Sequence, residues 1–111
     1  MCGAAGSSFY VIGGNNPSSG LSSVEKLPLD SLSEWTRGPE LPYPLYSASS
    51  VVYQDSMIVS GGYTPGKGYL TEILSLDPST SEEWVVLDEE LARGRYRHAS
   101  ILVSSDEVNC Q

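Results

Sequence analysis

Apolar residues in this chain fall in short runs separated by Gly, Pro, Ser and Asp, and nowhere form a helical stripe. FYVIGG (9–14) and MIVSGG (57–62) are apolar, partly β-branched and end in a double glycine, which predicts two strands. Their unbroken apolar character predicts burial on both faces. SVEKLPLD (23–30) and EILSLD (72–77) alternate in part and stop at Asp. EWTRGPEL (34–41) and EWVVLDEEL (83–91) each open on tryptophan, and YSASSVVY (46–53) and HASILVS (98–104) each follow a loop with Pro or Gly. No window sustains a 3.6-residue apolar period. The nearest approach to a helix, DEELARGRY (88–96), contains Gly94 and is expected to be a turn at most. The pattern predicts an all-β chain.

The strand signals recur. Gly13-Gly14 falls on Gly61-Gly62 at an offset of 48, and Pro17 and Gly20 fall on Pro65 and Gly68 at the same offset. With one residue lost, Leu27, Leu29 and Asp30 align with Leu74, Leu76 and Asp77. Trp35 aligns with Trp84 at 49, Leu41 with Leu91 at 50, and SAS (47–49) with HAS (98–100) at 51. Small insertions of this kind belong in connecting loops. A fixed period of this length is the mark of a repeat architecture.

Four strands per unit, with Gly13-Gly14 and Trp35 in one unit and Gly61-Gly62 and Trp84 in the next, resemble the kelch repeat of β-propellers. The resemblance covers Phe9 to about Val108. It implies a partial kelch-type propeller of about two four-stranded antiparallel blades, cut mid-blade at both ends. The expected organisation is a lead-in at 1–8, one repeat over 9–53, a second over 54–104 and the start of a third at 105–111. In strand order this is b-c-d, a-b-c-d, then a and a stub of b. Closing such a ring needs further blades, from the same or another chain.

The glycines invite a rival reading. Gly61, followed after four residues by Gly66-Lys67, begins a phosphate-binding loop. That loop needs Ser or Thr next, where Gly68 stands, and a helix whose N-terminus faces the phosphate. A strand-like segment, YLTEILSLD, follows instead, and the equivalent loop GGNNPSSG keeps its glycines without a lysine. The glycines therefore belong to the repeat. Gly lets a strand end in conformations closed to other residues, and it admits a close neighbour. Trp35 and Trp84 are expected to pack between blades.

A net charge of −8 disfavours nucleic acid and anionic membrane surfaces as partners. Hydrophobic residues make up 40% and charged residues 18%, so the chain is not expected to be disordered. Two cysteines, Cys2 and Cys110, are too few for a disulfide framework and sit in no metal spacing. No stretch approaches the ~20 apolar residues that span a bilayer, and a cytoplasmic protein is expected. No cofactor or metal is expected, and no catalytic set is evident. One histidine, His98, is available, with no base expected beside the serines.

On this acidic chain RGRYRH (93–98) is the one dense basic cluster. By the resemblance it lies in a ligand-facing loop between strands d and a. Arg93, Arg95 and Arg97 beside Tyr96 suit capture of carboxylates from an acidic peptide of a protein partner. Tyr43 and Tyr46 occupy the equivalent loop of the first unit, and aromatic-plus-Arg composition is typical of interface anchors. The expected function is a non-catalytic protein-interaction module, from a substrate-recruiting adaptor or a cytoskeleton-binding protein. The alternative is a fragment of a propeller enzyme, an oxidase or sugar-processing enzyme, whose catalytic residues lie outside this chain.

Overall fold

The computed structural model describes residues 1–30, 34–80 and 82–103, and within them every regular element is a strand. The first four, β1 (Cys2–Ala5), β2 (Ser8–Ile12), β3 (Val24–Pro28) and β4 (Thr36–Arg37), form an antiparallel sheet in chain order. β5 (Ser49–Tyr53), β6 (Ser56–Ser60), β9 (Glu72–Leu76) and β10 (Val85–Glu90) form the second. A short hairpin, β7 (Tyr63–Thr64) and β8 (Gly68–Tyr69), rises between β6 and β9.

The two sheets are built to one plan, and the plan is written in hydrogen bonds. Gly14 N–H donates to Leu45 O, and Gly62 N–H to Arg95 O, at 2.8 and 2.7 Å. Four further main-chain bonds are doubled in the same way. Leu45 to Leu21 matches Arg95 to Leu70, and Leu21 to Gly14 matches Leu70 to Gly62. Gly13 to Ser23 matches Gly61 to Glu72, and Leu41 to Ser22 matches Leu91 to Thr71. Even a side-chain bond repeats: Ser22 Oγ donates to Glu40 at 2.6 Å and Thr71 Oγ1 to Glu90 at 3.2 Å.

The double glycines are explained at one corner. Gly13 and Gly61 take positive φ, 57° and 63°. A Cβ on Gly13 would stand 2.5 Å from Leu45 O, and one on Gly61 would stand 2.6 Å from Arg95 O. Only a residue without a side chain brings the strand end against the next loop's carbonyl.

The core lies between the sheets. Ala5, Tyr10, Ile12 and Val24 of the first face Met57, Val59, Leu74 and Leu76 of the second, and all are buried. Burial of each large aliphatic here contributes roughly 1.5–3 kcal/mol. Leu41, Leu45 and Leu70 close the core from the loops. Bonds that stitch the sheets together include Gly6 N–H to Asp55 Oδ1 (2.8 Å), Ser50 Oγ to Cys2 O (3.1 Å) and Trp84 Nε1 to Pro39 O (2.9 Å).

Several expectations change. Cys2–Ala5, within the stretch expected as a lead-in, pairs with β2 and forms the fourth strand of the first sheet. Its small residues carry no strand signal, but they suit the site: a Cβ on Gly3 would meet Met57 at 3.0 Å and Val52 at 3.1 Å. β2 and β6 are packed on one face only, with Tyr10 and Ile12 buried while Val11 is exposed. The repeat register also shifts. Phe9 pairs with Leu27 and Met57 with Leu76, so Leu27 answers Leu76 at an offset of 49, the offset of the tryptophans. The loop between β6 and β9 gains one residue and loses none.

HASILVS forms no strand over residues 98–103, where Ile101, Leu102 and Val103 are exposed. Among the described residues no strand lies beside it to take up its hydrogen bonds. Ser104 and the expected third repeat at 105–111 lie outside the described residues. The tryptophans part company as well: Trp84 packs on the core, whereas Trp35 is 47% exposed and meets Phe9 edge-on at 6.2 Å.

Trp84→Ala is expected to lower stability by about 2–4 kcal/mol, and Trp35→Ala by less than about 1 kcal/mol, in dilute denaturant titrations. Gly61→Ala combines a positive φ with a blocked Cβ and is expected to cost about 2 kcal/mol or more. A neutral Gly61→Ala in the same titration would show that the corner is not fixed by contact with Arg95 O.

Candidate functional site

The residues singled out in the sequence meet at the end of the molecule where the double-glycine corners lie. Arg93 through Arg97 follow β10 and are exposed, and their backbone is held in place. Arg95 N–H donates to Leu70 O at 3.2 Å, Arg95 O accepts from Gly62, and Arg97 N–H donates to Ser47 O at 2.7 Å. A Cβ on Gly94 would stand 2.5 Å from Tyr69 O, so the basic loop lies directly on the β7–β8 hairpin.

The hairpin links the two groups of candidate residues. Tyr46 and Tyr63 exchange main-chain bonds, and their rings lie 5.3 Å apart. The Tyr63 and Tyr69 rings follow at 5.4 Å, and Tyr69 and Tyr96 at 4.9 Å. The Arg97 guanidinium lies 5.2 Å from the Tyr96 ring centre, a cation–π contact. Tyr69 is 59% exposed, so this row of four rings opens to solvent. Tyr46 and Tyr96 hold corresponding places, each following the carbonyl that takes the glycine N–H. Ser47 and Arg97, the next residues, both take positive φ, 58° and 56°. The correspondence is therefore 50 here, and His98 answers Ala48 where SAS over HAS pairs it with Ser47.

Tyr43 sits apart from the row, on the Lys67 side of the hairpin. Lys67 Nζ lies 5.2 Å from its ring centre and 3.3 Å from Glu72 Oε1, while Tyr43 Oη donates to Glu72 Oε2 at 3.3 Å. Lys67 thus stands in an ion pair, and β8 continues where a phosphate-binding loop would need a helix. Burial, followed by the Glu72 carboxylate, holds the Tyr43 hydroxyl above the ordinary phenol value. Arg95 Nε donates to Arg93 O at 3.5 Å.

Tyr63 and Tyr69 escaped the sequence reading. Set at the hairpin register, they stand where the first unit has Asn15 and Gly20, which pair as an isolated bridge. Aromatic residues replacing loop polar and glycine positions were the available signal. The structure also places a base beside a serine, contrary to expectation: His98 Nε2 lies 3.2 Å from Ser60 Oγ. His98 packs over Gly61, where a Cβ would come within 2.7 Å of its ring, and its Nδ1 is buried with no hydrogen-bond partner among the described residues. Among the described residues no carboxylate orients the ring, so there the contact lacks the third member of a nucleophilic triad. Among the described residues no group of His, Cys, Asp and Glu could hold a metal ion, and no helix is long and apolar enough to cross a membrane.

No protein-family model matches the chain. What is established is an all-β protein of two antiparallel four-stranded sheets and a short hairpin, with a tyrosine row and an exposed arginine-rich loop at one end.

The Tyr43 environment gives a pH test. Its hydroxyl loses a proton more readily in the unfolded chain than in the folded one. Its share of stability is therefore intact below the ordinary phenol value of about 10 and is lost as pH rises past it. Thermal melts from about pH 8 to about pH 11 should fall more steeply for the native chain than for Tyr43→Phe. Equal slopes would remove Tyr43 as the cause.

Proposed function

We propose that the chain is a kelch-type propeller piece acting as a non-catalytic protein-interaction module, and that it takes an acidic peptide at the tyrosine–arginine end. The observation that carries this reading is the row Tyr46–Tyr63–Tyr69–Tyr96 with Arg97 over its last ring, beside the exposed Arg93 and Arg95. Tyrosine offers broad rigid contact area with a hydroxyl at its rim, and arginine offers a planar fork for carboxylates. Their coincidence in loops from both units is the composition of an interface anchor. The main-chain clamps fix the backbone of these loops before a ligand arrives, which lowers the ordering cost of binding.

Two stacked four-stranded antiparallel sheets, related by paired hydrogen bonds, support the kelch-type assignment. With it goes the reading of a substrate-recruiting adaptor or cytoskeleton-binding protein of the cytoplasm.

Fluorescence anisotropy with a labelled Asp/Glu-rich peptide tests the site, with a Lys-rich peptide of equal length as control. The acidic peptide should bind, weaken as salt rises, and lose roughly tenfold or more in affinity with Arg93→Glu, Arg95→Glu and Arg97→Glu combined. The triple variant should melt as the native chain does, because its anchoring bonds are main-chain. Unchanged binding by that variant would overturn the assignment.

A further inference from the structure

Away from the loops, the two sheets stack in the same sense, and this leaves two unlike apolar faces exposed. The registers Val11–Glu25–Arg37 and Phe9–Leu27 place Ala4, Phe9, Val11, Leu27 and Trp35 on the outer face of the first sheet. The corresponding positions of the second sheet are Val52, Met57, Val59, Leu76 and Trp84, which pack against the first sheet. Conversely, the second sheet's outer face carries Val51, Tyr53, Ile58, Ile73 and Val85, at the places of Gly3, Ala5, Tyr10, Val24 and Thr36 on the inner face of the first sheet. Val11, Trp35, Tyr53 and Val85 are exposed, while the others are half-buried apart from the exposed Ala4. A recess of about 370 Å³, lined by Ser23, Val24, Glu25, Trp35, Thr36 and Arg37, opens beside Trp35.

We infer that the chain self-associates head to tail, the outer face of one copy's first sheet seating on the outer face of the next copy's second sheet. The contact between the sheets within one chain is the template for the contact between chains. Inside the chain, Trp84 Nε1 donates to Pro39 O. The bonds of Glu40 and Glu90 to corresponding hydroxyls set Pro39 against Glu89, so Trp35 Nε1 of one copy meets the Glu89 carbonyl of the next.

Side-chain size differs between the two contacts. Within the chain Gly3 receives Met57 and Val52. Across the inferred contact Val51 stands in the place of Gly3, and it meets Phe9 and the smaller Ala4. Val51 adds bulk where Ala4, in the place of Val52, removes it, while Phe9 exceeds Met57 in size. Charge agrees. Arg37 stands at the place of Val86 on the face led by Trp35, and the strand it would approach ends in Asp88, Glu89 and Glu90. Glu25, at the place of Leu74, has Arg37 directly across the strand pair as a counter-charge. Such a contact joins unlike faces, so it continues from copy to copy until it closes into a ring or runs on as a filament.

Sedimentation velocity of the full chain over a wide concentration range provides the test. The native chain should sediment as species larger than one copy, growing with concentration. Trp35→Glu spoils one face and Val51→Asp the other, and each alone should sediment as a monomer, with association weakened roughly tenfold or more. An equimolar mixture of the two variants keeps one intact face of each kind, so it should form a dimer and nothing larger. A native chain that is monomeric at its highest attainable concentration overturns the inference, whatever the variants do. Loss of assembly with Trp35→Glu alone, with Val51→Asp still assembling as the native chain does, would mean a symmetric contact and overturn it equally. Circular-dichroism melts check that both variants fold. If either does not, Trp35→Thr and Val51→Thr take their places in the same mixture.

Discussion

The contact on which the molecule turns is a main-chain oxygen laid against a glycine. Leu45 O takes the Gly14 N–H while standing where a side chain on Gly13 would be, and Arg95 O does the same at Gly61-Gly62. Each clamp fixes the end of one strand and the loop that leads to the following unit. The sheets inherit their spacing from these corners, and the tyrosines inherit their alignment, since Tyr46 and Tyr96 are the residues that follow the clamping carbonyls. A buried carbonyl and amide that failed to meet here would each carry a desolvation penalty, so the corner closes fully or the loop leaves.

Between the sheets the organising force is burial of apolar surface. One face of each sheet is committed to it, and alternation along β6, with Met57 and Val59 in and Ile58 half out, follows from the pleat. Directionality comes from polar atoms at the margins. The Trp84 indole, the Ser50 hydroxyl and the Asp55 carboxylate each find a main-chain partner in the other unit, and these bonds fix how the apolar faces are set against each other.

Much of this was legible in the sequence. FYVIGG and MIVSGG gave strands that end at glycine, the tryptophan offset gave the unit length, and the absence of a 3.6-residue period gave an all-β chain. What escaped had physical reasons. Cys2–Ala5 is a strand by pairing and not by propensity, because its small residues answer Met57 and Val52 on a neighbour that the local sequence does not mention. Trp35 and Trp84 share a motif but not an environment, since burial depends on what lies opposite and not on the residue. The arginines and Tyr43 and Tyr46 stand out in composition and in loop position. The ring-to-ring row does not, because Tyr63 and Tyr69 come together with Tyr46 and Tyr96 only once the hairpin folds over the loops.

Of the six loop hydrogen bonds described above that recur in both units, five run between main-chain groups and make no demand on side-chain identity beyond glycine at the corner. The separation between matching residues moves from 48 through 49 to 50 in the stretches between these bonds and stays fixed at them. Such a scaffold tolerates divergence at its exposed positions: the chain can exchange exposed loop residues, and lengthen its loops, while the pattern that defines a unit stays intact. Variation is thereby directed to the surface where Tyr63, Tyr69 and the arginines lie, so contact chemistry can change there without a change of architecture.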